Sequence, residues 1–254
     1  MGVDIVFHTA ALKHVTKCEQ QPREAVNTNV VGAWNVINAC IKNKVDVCVN
    51  ISSDKACECS CVYGNTKAIC EALFTEANNM TLHTDFYSVR SGNIFASQGS
   101  VIKIWKTQVE KENRILLTDP GMTRFFITVG DAVKLTLKSI DLADRGEVFV
   151  FRMPSFLVGQ LADLFIEKFG DQNTEKKIIG KFEGEKDYET LFTGQEAGRM
   201  KRTGEFFIVY PSMDIKTVSP FRTDKNEKFA KGYTSKQAKG TKRELQKMFE
   251  TILK

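Results

Sequence analysis

Tyr63 and Lys67 stand four residues apart in the stretch Val62-Tyr63-Gly64-Asn65-Thr66-Lys67. On a helix this spacing puts both side chains on one face. An ammonium beside a phenol favours the phenolate, so the tyrosine can exchange a proton near neutral pH. A Tyr-x-x-x-Lys pair alone is common. Here Ser52, Ser53, Asp54 and Lys55 precede it, at the end of the apolar run Val45 to Ile51. A hydroxyl, a carboxylate and an ammonium at a strand's carboxyl end, next to a phenol–ammonium pair, form a proton-transfer constellation. Three further side chains, Cys57, Cys59 and Cys61, alternate through the loop between them. An extended backbone would aim all three the same way. Metal sites more usually show paired Cys-x-x-Cys spacings, so no metal is expected.

The elements that must position these groups are legible as alternating strands and helices. Val3 to Phe7 reads as a buried parallel strand. It ends in His8-Thr9-Ala10-Ala11-Leu12-Lys13-His14-Val15, where small residues let a ligand approach the backbone, as at strand ends of open parallel sheets. The two histidines are read as packing and orienting groups. Pro22 precedes an expected helix from Glu24 to Lys44, with Val30, Trp34, Ile37 and Ile41 at helical spacing. A second helix runs from Tyr63 to about Asn78. Strands are expected at Phe86–Val89, Ile115–Thr118, 146–151, Lys177–Gly180 and Glu205–Tyr210. Helices are expected after Ser100, as a candidate cap, at Asp131–Leu142 and at Leu157–Phe169. Gly92 is expected to allow a close backbone approach. Leu245, Met248, Phe249 and Ile252 are spaced for a short terminal helix.

With 254 residues and 42% hydrophobic content, the chain has the size of one large α/β domain or a domain with an appendage. No apolar run approaches the roughly 20 residues that span a bilayer, and no signal-peptide pattern opens the chain. A cytoplasmic protein with no membrane partner is expected. The net charge of +5 is uneven: residues 222–254 hold ten Lys or Arg and four Asp or Glu, so the rest is nearly neutral. A basic tail on a near-neutral body is not the footprint of a nucleic-acid groove, so no nucleic-acid partner is expected. The segment 222–242 has little apolar content and is expected to be mobile. Seven cysteines without a secretory signal are expected to be reduced.

Ser52-Ser53-Asp54-Lys55-Ala56 with Tyr63-Gly64-Asn65-Thr66-Lys67 resembles the extended short-chain dehydrogenase/reductases. Within them the chain resembles the inverting UDP-N-acetylglucosamine 4,6-dehydratases of polysaccharide biosynthesis. The stretches His8 to Val15, Asn27 to Gly32, Arg90 to Ile94, Gln98 to Val101, Met122 to Phe125 and Ile179 to Lys186 extend the likeness. The resemblance implies an α/β fold: a Rossmann-like, doubly wound parallel sheet that binds NADP or NAD, with a small α+β substrate-binding part. Residues 1–114 are expected to form the dinucleotide-binding part, 115–221 mostly the nucleotide-sugar part, and 222–254 the tail. Helix 131–142 and strand 147–151 are candidates for packing back on the Rossmann sheet.

By the same resemblance Tyr63, Lys67, Lys55, Asp54 and Ser53 are catalytic. Tyr63 takes the C4 hydroxyl proton, Lys67 lowers its pKa and holds the nicotinamide ribose, Lys55 is the base at C5, and Asp54 protonates the departing C6 hydroxyl. Ala10, Ala11, Lys13 and Ser52, with Tyr63 and Lys67, contact the cofactor. Lys55, Asn93, Arg124, Gly184 and Glu185 contact a UDP-sugar, Arg124 at the diphosphate. Asn29 is a candidate for placing the active-site strand. Phe182 and Glu183 replace the Arg-Pro of the relatives, which bears on uridine-diphosphate affinity. A homo-oligomer is expected.

The relatives begin with a Rossmann half carrying a Gly-x-x-Gly-x-x-Gly loop, and no such loop occurs in this sequence. That loop supplies the pyrophosphate site. The chain is therefore expected to be a truncated or separately encoded carboxyl portion. Two other readings stay open. One is a non-catalytic remnant that binds a nucleotide-sugar or a full-length paralogue. The other is a related reaction such as 4-epimerisation, which needs the Tyr–Lys pair but no acid and base for elimination.

Overall fold

Segments of period two and period 3.6 alternate along the chain and become strands and helices in the computed structural model, which describes residues 2–182, 184–212, 215 and 229–252. In chain order come β1 (Ile5–His8), α1 (Val15–Gln20), α2 (Pro22–Ala25), a π-helical turn (Val26–Val31), α3 (Gly32–Asn43) and β2 (Val47–Ser53). A 3-10 turn (Asp54–Ala56), α4 (Val62–Ala77), β3 (Asp85–Ser91), β4 (Asn93–Ile94), α5 (Val101–Glu112), β5 (Arg114–Leu117), β6 (Thr123–Ile127), α6 (Val129–Ile140) and β7 (Val148–Phe151) follow. The remainder is β8 (Ser155–Leu157), α7 (Val158–Phe169), β9 (Glu175–Ile178), β10 (Thr190–Thr193), α8 (Gly194–Ala197), β11 (Met200–Thr203), β12 (Phe206–Val209), β13 (Gly232–Thr234) and α9 (Lys242–Glu250).

These elements divide into two units, between which the chain passes more than once. The first comprises residues 1–91, 134–152 and 190–233; the second comprises 92–133, 153–189 and 234–254. Residues 92–114 thus belong with the second unit, although the sequence placed them with the first. Only long-range contacts could reveal that interleaving.

The first unit is built on a six-stranded sheet ordered β1-β2-β3-β7-β12-β11. The first four strands are parallel, and β12 and β11 add antiparallel strands at the far side. This is the α/β, Rossmann-like sheet that the resemblance implied. Strand 148–151 is one of its members. On one face Ala33, Ile37 and Cys40 of α3 and Cys70, Phe74 and Ala77 of α4 pack with Cys48 and Phe86. Apolar residues at helical spacing meet the alternate residues of the strands there, which removes a continuous apolar surface from water.

The strand at Val3–Phe7 departs from expectation. β1 has one neighbour, β2, and Val3, Ile5 and Phe7 are exposed. Residues of one parity share a face, and in the described residues that face of β1 is uncovered. The expected Glu24–Lys44 helix is also not uniform, because the π-helical turn at Val26–Val31 interrupts it. Lys44 closes it in the left-handed region at φ +53°.

In the second unit β4-β6-β8 form one small sheet and β5-β9 another. Trp105, Phe126, Phe156, Phe165 and Phe249 fill its core. Phe249 belongs to α9, whose Leu245 and Met248 are buried with it and whose first turn is closed by a Thr241–Glu244 capping box. The carboxyl-terminal segment is therefore not simply a solvated tail. Charge counting missed this because four apolar positions on one helix face suffice for docking. Of the segment 222–242 expected to be mobile, residues 222–228 lie outside the described residues, and the rest includes β13, which pairs with β10. Ser100 precedes α5 as expected, but its side chain makes no cap bond, and its buried Oγ has no hydrogen-bond partner.

Candidate active site

The end of β2, the 3-10 turn and the start of α4 are drawn together by a close backbone approach. A Cβ added at Gly64 would lie 2.3 Å from the Lys55 carbonyl oxygen, so only glycine fits there. Cys61 caps α4, its Sγ accepting from the Gly64 N–H at 3.3 Å, and Glu19 accepts from the Val62 N–H at 2.6 Å. On the turn itself Ser53 Oγ donates to Asp54 Oδ1 (3.0 Å) and accepts from the Lys55 N–H (3.3 Å). Lys55 Nζ donates to the same Asp54 oxygen at 3.1 Å. Asp54 is fully buried, and its Oδ2 has no hydrogen-bond partner. A carboxyl group, an amine and a hydroxyl thus share one turn.

Tyr63 sits half-buried on the first turn of α4. Burial pushes its phenol above the usual tyrosine range, while Lys55 and a hydrogen bond to Ser53 pull it back. Lys55, on the turn before α4, is thus a cation that acts on the phenol. Lys67 is buried one turn along α4, and burial lowers its pKa against the carboxylate of Glu71. His8, expected as a packing group, is buried and stacks on Phe74 with centroids 5.9 Å apart. Burial and the Lys67 charge both depress its pKa.

The loop after β1 is tied to the helix of Tyr63 and Lys67 by Asn29. Its Oδ1 accepts from the Leu12 N–H (2.7 Å), and its Nδ2 donates to the Leu12 carbonyl (3.0 Å) and to Thr66 Oγ1 (2.9 Å). Asn29 is buried within the π-helical turn, a helix distortion that often marks functional sites. It orders the loop after β1 and α4, where the sequence had suggested the active-site strand. Ala10 and Lys13 are exposed and Ala11 half-buried along that loop. Ser52 at the end of β2 has a buried Oγ without a hydrogen-bond partner. Exposed small residues, an orphaned hydroxyl and a buried ammonium at the ends of parallel strands fit the ribose and amide end of a nicotinamide dinucleotide.

The three alternating cysteines do not aim together. Cys57 Sγ lies 3.8 Å from Glu196 Oε2, Cys59 Sγ donates to the Ala56 carbonyl at 3.3 Å, and Cys61 is the helix cap. The loop is not extended throughout: Glu58 adopts φ +51°, and its carboxylate accepts from Thr190 Oγ1 at 2.5 Å. Among the described residues no group of His, Cys, Asp or Glu is placed to hold a metal. Behind the site Arg90 joins Glu71 of α4 to Glu196 of α8. Nε and Nη2 reach Glu71 at 3.0 and 2.6 Å, Nη1 and Nη2 reach Glu196 at 3.2 and 2.9 Å, and Nη1 also reaches the Leu191 carbonyl at 2.8 Å. Glu71 follows Lys67 by one helical turn, so this network steadies the helix beneath the lysine. Glu19 and Glu71 carried no local signal, since their partners lie 43 and 19 residues away; Glu196 was readable only as the end of a Thr193 capping box, while its Arg90 partner lies 106 residues away.

The residues assigned to a sugar nucleotide lie in the second unit, apart from Lys55. Asn93 is half-buried on β4, which pairs with β6. The close approach expected at Gly92 is made by protein: an added Cβ would lie 2.4 Å from Phe125 Cβ. Arg124 is buried on β6, its Nη2 3.4 Å from Glu185 and its Nε 3.7 Å from Glu189. Gly184 adopts φ +78° in the loop that carries Glu185. Glu183 lies outside the described residues, and Phe182 is exposed.

A family profile described as polysaccharide biosynthesis protein matches residues 1–211. An uncharacterised membrane protein of Methanocaldococcus jannaschii is 40% identical over 93% of this chain and 71% of its own length. A UDP-glucose 4-epimerase of Rickettsia canadensis is 39% identical over 82% of this chain; the chain spans only 61% of that relative. An inverting UDP-N-acetylglucosamine 4,6-dehydratase of Campylobacter jejuni is 36% identical over 84% of this chain and 63% of its own length. Among solved structures, Pen from Bacillus thuringiensis superposes with a TM-score of 0.89 at 35% identity, over 98% of this chain and 75% of that one. The dTDP-glucose 4,6-dehydratase of Streptomyces venezuelae, solved with NAD bound, shares the fold: TM-score 0.65, 18% identity, 72% of this chain and 65% of that one.

Proposed function

The chain belongs to the polysaccharide biosynthesis protein family of the extended short-chain dehydrogenase/reductases, and on that premise we propose that it carries the catalytic part of a C5-inverting UDP-N-acetylglucosamine 4,6-dehydratase. The observation that carries this reading is the Asp54–Lys55 pair, 3.1 Å apart on the turn beside Ser53 and Tyr63. Dehydration needs an acid and a base beyond the group that deprotonates the alcohol, and this turn supplies both.

Tyr63 takes the C4 hydroxyl proton, with Ser53 hydrogen-bonded near the C4 oxygen. Ala10, Ala11, Lys13, Ser52, Tyr63 and Lys67 would hold NAD or NADP, which would supply a hydride acceptor for C4 and a hydride donor for C6, the latter step with a proton returned to C5. The C4 ketone acidifies the C5 proton, and Lys55 removes it as the free amine. Asp54, as the acid, protonates the C6 hydroxyl, which leaves as water. One proton shared by Asp54 and Lys55 is enough, because the step ends with carboxylate and ammonium. In the second unit Asn93, Arg124, Gly184 and Glu185 are assigned to the nucleotide side of the substrate.

A homo-oligomer and a cytoplasmic location belong to the same reading. The uncovered apolar residues Val3, Ile5 and Phe7 at the edge strand support self-association. No helix of the described residues is long and apolar enough to cross a membrane.

The relatives named UDP-glucose 4-epimerase favour a second reading, in which Tyr63 and Lys67 suffice and no water is lost. The two are separated by incubating the protein with UDP-N-acetylglucosamine and NADP or NAD in deuterated water. The dehydratase yields a product lighter by one water, with deuterium at C5, and Asp54→Asn suppresses it. An isomer of unchanged mass without solvent deuterium would overturn the dehydratase in favour of the epimerase.

A further inference from the structure

Arg124 is buried, yet its ion pairs are open. Nη1 donates to the Thr123 carbonyl at 3.0 Å, and Nη2 faces Met122 Sδ, a weak acceptor, at 3.1 Å. Its two carboxylate partners stand at 3.4 and 3.7 Å, whereas charge-assisted N–H···O bonds close at about 2.7–2.9 Å. The two carboxylates are held differently. Glu189 is 4% exposed and also lies 3.6 Å from Lys186 Nζ. Glu185 is 27% exposed, and its other contacts are long: Thr118 Oγ1 at 3.4 Å and the Phe182 N–H at 3.2 Å. Its loop also contains Gly180 and Gly184, at φ +83° and +78°, and a side chain at Gly180 would meet nothing within 4 Å. Glycines in the left-handed region let a loop change course at little steric cost.

We propose that Glu185 is a displaceable carboxylate that stands on Arg124 in place of a ligand's phosphate oxygens and swings away when a diphosphate binds. The inference rests on the preceding reading only for the ligand being a nucleotide diphosphate. A singly charged anion brings no more charge to Arg124 than Glu185 already supplies. A diphosphate brings at least two negative charges and two sets of acceptors for the guanidinium fork. Glu185 thereby selects diphosphates over simple anions. This sign is opposite to that expected of a residue that binds the substrate through its own carboxylate.

The test is calorimetry on the full chain with inorganic pyrophosphate, formate and UDP-N-acetylglucosamine as separate probes. Glu185→Gln is expected to tighten pyrophosphate about tenfold, the equivalent of one lost competing charged contact, and to admit formate, a singly charged anion. Arg124→Gln is expected to lose pyrophosphate binding, with Arg124→Lys intermediate; a cooperative thermal melt of each variant reports that it is folded. Weaker or unchanged pyrophosphate binding by Glu185→Gln overturns the inference, as does binding indifferent to Arg124. If pyrophosphate follows the expected pattern and UDP-N-acetylglucosamine fails to bind, the displaceable carboxylate stands and the nucleotide-sugar reading falls.

Discussion

Arg90 in the first unit and Arg124 in the second are both buried arginines flanked by two glutamates, yet they are different devices. Arg90, 3% exposed, meets Glu71 and Glu196 through four contacts of 2.6 to 3.2 Å and a backbone carbonyl through a fifth. Burial disfavours its charge, but the two carboxylates outweigh that and hold it firmly protonated. Burial also pushes Glu196 up, and the Arg90 charge overrides it, keeping Glu196 below the usual range. Arg124, 7% exposed, has carboxylates only at 3.4 and 3.7 Å. A guanidinium with filled donors is a structural tie, and one with loosely met donors keeps hydrogen-bonding capacity for another acceptor. Burial alone does not distinguish the two.

The sharpest way to break that contrast is Arg90→Ala. It strands Glu71 and Glu196 without their shared cation, and removing one partner of a buried pair costs about 3–5 kcal/mol. Urea unfolding should show that loss, with only partial recovery in Arg90→Lys, because an ammonium cannot fork. A loss below about 1 kcal/mol would mean the network is not the tie its geometry suggests.

Glu147 gives a slightly smaller effect in the first unit, and it probes a buried charge without a cation. It is 1% exposed; Oε1 accepts from the Asp144 N–H at 2.9 Å, and Oε2 has no hydrogen-bond partner. Burial raises its pKa from 4.5 to about 7. The folded protein therefore holds this proton more tightly than the unfolded chain. The stability it lends is full below pH 4.5 and is lost as the pH rises through about 7, a change of about 3 kcal/mol. Glu147→Gln should remove that slope, so the stability difference between variant and wild type should grow in the variant's favour from pH 5 to pH 8. Parallel pH profiles would remove Glu147 as a source of pH dependence.

The smallest effect is expected at Arg124. Because its ion pairs are long and Glu185 is partly exposed, Arg124→Gln should cost less unfolding stability than Arg90→Ala, while anion binding is lost. A stability loss as large as that of Arg90→Ala would make the two arginines alike and place Arg124 among the structural ties.

Much of the site was legible because its signals are local. Tyr63 and Lys67 share a helix by spacing alone, and Ser52 to Lys55 end a strand by the change from apolar to polar residues. The family stretches carried the fold class, since strands and helices alternate in the order a parallel sheet requires. The helix of α9 was readable from four apolar positions, although its burial was not.

What the linear chain could not hold is which partner each charge finds. Lys55 also acts on the Tyr63 phenol, a partner that the four-residue spacing of Tyr63 and Lys67 did not point to. Asn29 reaches Leu12 and Thr66, 17 and 37 residues away, only because a π-helical turn presents it there. The cysteines at 57, 59 and 61 diverge because Glu58 leaves the extended conformation that alternation assumes. Local composition determined which elements form and which residue types stand at their ends, since propensity and periodicity act over a few residues. Tertiary structure alone decided that Arg90 is closed and Arg124 open, because distances of a few tenths of an ångström between distant segments set the strength of a buried ion pair.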